Sequence, residues 1–135
     1  MERVATIGQG AGDFGRRMTR ALDALPPGPA VLVGGDVPEL TSVHVWAAFR
    51  ALGRADVVFG PAADGGYWLI GRRHRLRPLP PLDGVRWSTR HALADSRARL
   101  GAATTTAEAA TLADVDDGAG YRAWLRRTKR GTVRP

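Results

Sequence analysis

The sequence predicts an α/β three-layer sandwich built around a mostly parallel sheet. Two observations predict it. Three short apolar runs, at residues 30–33, 57–59 and 67–70, have the length and the branched or aromatic content of buried strands. Beside them lie segments whose apolar residues recur at helical spacing, and strands alternating with helices give a sheet covered by helices.

In order along the chain, Phe14, Met18, Ala21, Leu22 and Leu25 fall on one helical face, with Asp13 placed as an N-cap. The cluster Pro26-Pro27-Gly28-Pro29 ends that helix. Ala30-Val31-Leu32-Val33 is the first buried strand and stops at Gly34-Gly35-Asp36. Thr41 opens a second helix with Val45, Trp46, Phe49 and Leu52 inward and Gly53 at its end. Val57-Val58-Phe59 is a strand, Ala63-Asp64-Gly65-Gly66 a turn, and Tyr67-Trp68-Leu69-Ile70 another strand. Arg77-Pro78-Leu79-Pro80-Pro81 reads as an extended connector. Ser88 or Thr89 caps a helix that runs to Leu100 and stops at Gly101; residues 104–106 form a weak strand. Asp117 is expected to cap a final helix carrying Tyr121, Trp124 and Leu125. The result is one domain over residues 1–127 followed by a basic tail at 128–135.

Length and composition narrow the function. The 135 residues fit one core and not two. At 44% hydrophobic and 24% charged, the chain is neither disordered, collagen-like nor a coiled coil. No apolar run approaches the ~20 residues that span a bilayer, so no membrane partner is expected. With no cysteine there is no disulfide, thiolate metal site or cysteine nucleophile, and the expected compartment is the cytoplasm. The net charge of +7 is carried almost wholly by arginine, Lys129 being the only lysine, and favours anionic partners such as nucleotides. No helix-turn-helix or RNA-recognition signature is present, which ranks nucleic acid behind small phosphorylated ligands.

Three segments could carry chemistry. In Gly34-Gly35-Asp36-Val37-Pro38 a strand ends in two glycines and a carboxylate. The glycines let backbone approach a ligand, and the carboxylate could hold Mg²⁺ or Mn²⁺ on phosphates; on spacing alone a plain turn with Asp36 as a cap is the favoured reading. In Asp64-Gly65-Gly66-Tyr67-Trp68 a hairpin turn brings an acidic side chain and two aromatics to one mouth, where a sugar or a base could sit. Asp114-Val115-Asp116-Asp117 places three carboxylates in four residues, which a cation, arginines or solvent would relieve. His44, His74 and His91 have no metal-ligand spacing and read as surface or packing residues, and the tryptophans read mainly as core. Arg72-Arg73-His74-Arg75 reads as a solvated loop, with a phosphate grip as the alternative.

These segments together resemble a family of bacterial domains of uncharacterised function in the nucleotide-diphospho-sugar transferase superfamily, whose fold is like that of the A-type glycosyltransferases. Guanylyltransferases of molybdenum-cofactor and phospholactate chemistry are distant relatives. The resemblance rests on Gly12-Asp13-Phe14-Gly15-Arg16-Arg17-Met18, residues 33–40 around Gly35-Asp36-Val37-Pro38, residues 60–71 around Asp64-Gly65-Gly66-Tyr67, Trp87-Ser88-Thr89 and Asp114-Val115-Asp116.

It implies a metal-dependent glycosyl or nucleotidyl transferase. Asp36 would hold the divalent metal on the nucleotide phosphates, with Asp116 as the second metal carboxylate. Asp36 and Asp64 would be the catalytic carboxylates. Gly34, Gly35, Gly65, Gly66 and Tyr67 would line the substrate, with Trp87 and Ser88 beside them and Asp13, Gly15 and Arg16 at the nucleotide edge. The chain departs from the family pattern in lacking its opening apolar strand and Gly/Lys/Thr/Arg nucleotide loop, so it is expected to be N-terminally truncated. Ala63 and Gly35 stand where an acidic residue and a Ser or Thr are common. An exposed sheet edge is therefore expected, covered by a second copy or another chain. The alternative function is a non-catalytic, degenerate remnant serving as a binding or assembly module.

Overall fold

The computed structural model describes residues 2–7, 14–34, 40–74, 82, 84–87, 89–112, 121–126, 128–129 and 132–133. The elements run β1 (Glu2–Ile7), α1 (Phe14–Ala24), β2 (Ala30–Gly34), α2 (Ser42–Ala51), β3 (Val57–Pro61), β4 (Tyr67–Arg72), α3 (Ala92–Leu100), β5 (Thr106–Glu108), β6 (Tyr121–Arg126), β7 (Thr128–Lys129) and β8 (Thr132–Val133). A six-stranded sheet has the order β1-β6-β2-β4-β3-β5, and β7 pairs with β8 in a separate two-stranded ribbon.

The sheet is mixed, and the expectation of a mostly parallel one is corrected. β4 lies antiparallel between β2 and β3, β6 is antiparallel to both β1 and β2, and β3 with β5 is the one parallel pair among the described strands. The cause lies in the turn after β3. The β2–α2–β3 crossover does leave β2 and β3 running the same way, but the tight Asp64-Gly65-Gly66 turn folds β4 straight back into the slot between them.

The expected C-terminal helix is also corrected. Tyr121, Trp124 and Leu125 belong to a strand. Their spacing fits a helix, but Tyr and Trp favour strands, and ladder partners on both sides override local periodicity. Within the same chain, β2 is paired by β4 on one side and by β6 on the other, and β1 and β5 are the outer strands of the described sheet.

The helices form for the reasons their patterns gave. Met18, Ala21, Leu22 and Leu25 are buried along α1. Thr41 caps α2, where its N–H donates to His44 Nδ1 at 3.0 Å. α3 ends at Gly101, whose φ of 82° is left-handed. α3 begins at Ala92 with His91 at its N-cap, a correction to the expected cap at Ser88 or Thr89; Thr89 sits in the turn before it, its Oγ1 accepting from the His91 N–H at 3.1 Å.

The core divides between the two faces of the sheet. Met18 and Leu22 of α1, Leu25 just after it, and Ala92 and Leu100 of α3 pack with Leu32, Val57, Phe59 and Ile70. Val45, Phe49 and Leu52 pack with Val31, Val33, Val58, Trp68 and Leu69.

Arg72 joins these layers at one point. It ends β4 and is 1% exposed. Its guanidinium donates to the carbonyls of Leu22 (2.8 Å), Leu25 (3.3 Å) and Pro26 (3.3 Å), and to that of Gly28. A cation thus closes the C-terminal end of α1, where free carbonyls and the helix dipole favour positive charge. Of the expected solvated loop, Arg72 is instead buried, Arg73 is half-buried, His74 is exposed and Arg75 lies outside the described residues.

Candidate active site

The site grows from an irregularity in β4. The register between β3 and β4 shifts at Gly60 and Pro61: Leu69 faces Gly60 and Tyr67 faces Pro61, leaving Trp68 as the extra residue of a β-bulge. Side chains alternate along a regular strand. The bulge breaks that alternation, so Trp68 packs with Leu69 on the α2 face. Tyr67 is returned to the α1–α3 face beside Ile70.

Gly60 makes the bulge possible, since a Cβ there would stand 2.5 Å from Trp68 Cε2. The buried indole N–H donates to the Ala110 carbonyl at 2.9 Å. Trp68 is therefore core, as read from the sequence.

Tyr67 meets an aromatic row. Its ring lies edge-on to Phe59, with centroids 5.0 Å apart, and to Trp87 at 6.1 Å and 66°. Its hydroxyl is 3.0 Å from Ser96 Oγ, which is fully buried. Trp87, half-buried, reaches the first turn of α1: a Cβ on Gly15 would stand 3.0 Å from Trp87 Cζ2 and 2.6 Å from the Leu82 carbonyl. The structure thus joins three expected site residues from separate parts of the chain: Gly15, Tyr67 and Trp87.

The Asp64 turn abuts this row. Asp64 is exposed, and its Oδ1 accepts from the Gly66 N–H at 3.0 Å. Gly65 has a φ of +93°, and a Cβ there would lie 2.2 Å from the Arg90 carbonyl oxygen. The Gly65 carbonyl accepts from the Leu93 N–H at 3.1 Å. The turn is therefore pressed backbone to backbone against the entry of α3, and only glycine fits at 65.

One charge pair fixes the segment that carries Trp87. Asp95 accepts from the Arg86 backbone N–H (3.0 Å), from Nε (2.9 Å) and from a terminal guanidinium nitrogen (2.9 Å). The Arg86 side chain, then its backbone N–H, holds the Asp95 carboxyl well below the usual carboxylate range.

Of the other expected site residues, Gly34 closes β2 opposite Tyr121, and Arg16 is exposed on α1. Asp13, Gly35, Asp36, Ser88 and Asp116 lie outside the described residues. Among the described residues no group of three His, Cys, Asp or Glu could hold a metal ion.

Sequence reading missed Ser96 and the Arg86–Asp95 pair. Ser96 carried a signal, being the one polar residue in the helical stripe Ala92, Ser96, Leu100. Arg86 and Asp95 carried none, since a nine-residue separation across a turn has no period.

Residues 1–89 match the family described as uncharacterized proteins conserved in bacteria, DUF2064. The chain belongs to this family. Among solved structures it is similar to a "putative nucleotide-diphospho-sugar transferase" from Desulfovibrio desulfuricans G20, with 30% identity and a TM-score of 0.64. The likeness covers 80% of this chain and 48% of that one, so the chain spans about half of that protein's length. No curated protein matches the chain. Among the described residues no helix is long and apolar enough to cross a membrane.

Proposed function

We propose that the chain is a metal-dependent transferase-like domain that binds a nucleotide or nucleotide-sugar, for glycosyl or nucleotidyl transfer. The likeness to the Desulfovibrio protein, at 30% identity and a TM-score of 0.64, carries this reading. The meeting of Gly15, Tyr67 and Trp87 beside the Asp64 turn supports it.

In this reading Asp36 and Asp116 hold Mg²⁺ or Mn²⁺. The ion would supply charge neutralisation at the phosphates. Gly34 and Gly35 let the chain approach those phosphates, and Asp13, Gly15, Arg16 and Ser88 border the nucleotide. Asp64 has one oxygen on the Gly66 N–H; its other oxygen can accept from a substrate hydroxyl and orient it. Gly65 and Gly66 keep that turn low, while Tyr67 and Trp87 offer aromatic surface to the bound group.

A thermal-shift screen of nucleoside triphosphates and nucleotide sugars, with and without Mg²⁺ or Mn²⁺, tests the proposal. A ligand that binds only the folded chain raises the melting temperature. A metal-dependent rise with one nucleotide is expected, and Asp36→Ala should abolish it while leaving the fold intact. An Asp36→Ala variant that binds like wild type makes the metal assignment wrong.

A second reading, a non-catalytic binding or assembly module, draws on the structural use of two site groups. Asp64 Oδ1 is engaged by its own turn, and the Tyr67 hydroxyl by Ser96. A flat panel from a well-folded sample would favour it.

A further inference from the structure

We infer that Asp95 and Arg86 are positioning residues that set the Trp87 ring in the ligand site. The inference rests on the proposed ligand site and adds the device that orients it. Three hydrogen bonds from one residue, Arg86, converge on a single carboxylate in the first turn of α3. Two of them come from the guanidinium in a side-on, two-pronged geometry that fixes direction as well as distance. The third comes from the Arg86 backbone, so the carboxylate holds the main chain immediately before Trp87. On the other side, Thr89 Oγ1 donates to the Arg86 carbonyl at 2.6 Å. The Trp87 N–H donates to the Val85 carbonyl at 3.0 Å.

The Trp87 backbone is thus tied to α3, while its ring rests on Gly15 of α1 and edge-on to Tyr67 of β4. Trp87 is half-buried, and the Arg86–Asp95 pair fixes the main chain from which its ring enters the site. Arg86 is 59% exposed and Asp95 20%, so the pair adds little as a surface ion pair alone. Three bonds on one carboxylate at such a place accord with orientation rather than stability.

The test reads Trp87 directly. Its contribution to fluorescence is isolated by subtracting the Trp87→Phe spectrum, in wild type, Asp95→Asn, Asp95→Glu and Arg86→Gln backgrounds. Leu100→Ala, which destabilises the same helix without touching the pair, is the control. Asp95→Asn and Arg86→Gln are expected to red-shift the Trp87 emission and raise its acrylamide quenching. Asp95→Glu should restore part of the signal, and Leu100→Ala should leave it unchanged. Affinity for the nucleotide sugar found in the thermal screen should fall roughly tenfold in both pair variants, the scale of one well-placed contact. A Trp87 signal identical to wild type in both variants overturns the inference, and so does an equal change in Leu100→Ala. If wild type binds neither a nucleotide nor a nucleotide sugar, the proposed function fails, while the quenching series still decides the role of the pair.

Discussion

Replacing Arg72 with methionine should be among the most damaging single changes outside the site. Methionine keeps an unbranched chain of similar reach and removes the cation. The carbonyls of Leu22, Leu25, Pro26 and Gly28 then lose their donor in a place that water reaches poorly. A hydrogen bond to a charged group contributes about 1.5–3 kcal/mol net, but four bonds on one guanidinium do not add. A buried acceptor left without a donor costs about 1–3 kcal/mol, and with several carbonyls orphaned together we expect a loss of about 3–5 kcal/mol. In a chain of this size each kcal/mol is worth about 3–5 °C, so the melting temperature should fall by about 10–20 °C. Urea unfolding followed by circular dichroism measures it, with an unchanged m-value showing that the denatured state is unaltered. Arg72→Lys should lose less, because an ammonium carries three donors but cannot span four carbonyls. A methionine variant within about 1 kcal/mol of wild type would refute the reasoning, since the carbonyls would then have found water.

Further outcomes follow from other particular contacts. Gly65→Ala should cost more than about 2 kcal/mol in urea unfolding, through its left-handed φ and the clash with the Arg90 backbone; Gly101→Ala, with open space around it, should cost only the φ penalty. Gly60→Ala should destabilise the wild type but do much less in a Trp68→Leu background, which a double-mutant cycle reads as coupling. The Asp95 carboxyl titrates lower folded than unfolded, so its stabilisation is complete above the ordinary carboxylate value of about 4 and is lost as pH falls below it. The stability gap between wild type and Asp95→Asn should therefore be constant from about pH 7 to 5 and shrink below about pH 4. A gap that widened with acid would contradict the assignment.

What could be read from the sequence was what is local. The helical stripe through Met18, Leu22 and Leu25 survived into the structure because burial of one face depends only on period. The Asp64-Gly65-Gly66 turn was visible because its glycine meets a backbone demand that no other residue satisfies. Failures came where a distant partner decides. Nothing in Tyr67-Trp68-Leu69-Ile70 says that it will enter between two earlier strands, although the hairpin signal before it already required one antiparallel pair. Nothing in residues 121–126 announces two ladder partners, and the aromatic spacing fits either secondary structure. Arg72 looks like its exposed neighbours because its four acceptors lie more than forty residues upstream. In the candidate site, Gly15, Tyr67 and Trp87 could each be named from the sequence, but their meeting depends on three elements packing together.

The bulge at Trp68 makes the orientation of Tyr67 a matter of parity. Which side of the sheet that ring occupies is decided by how many residues separate it from Ile70, and one extra residue reverses the answer. Pairing the same residues in a regular ladder, without the bulge, would carry Tyr67 across the sheet, away from Trp87 and Ser96, whereas deleting Trp68 itself would leave Tyr67 opposite Pro61 on its present face. An insertion between Tyr67 and Ile70 that no second bulge absorbs is thus the change that would dismantle the site while leaving every one of its side chains in the sequence.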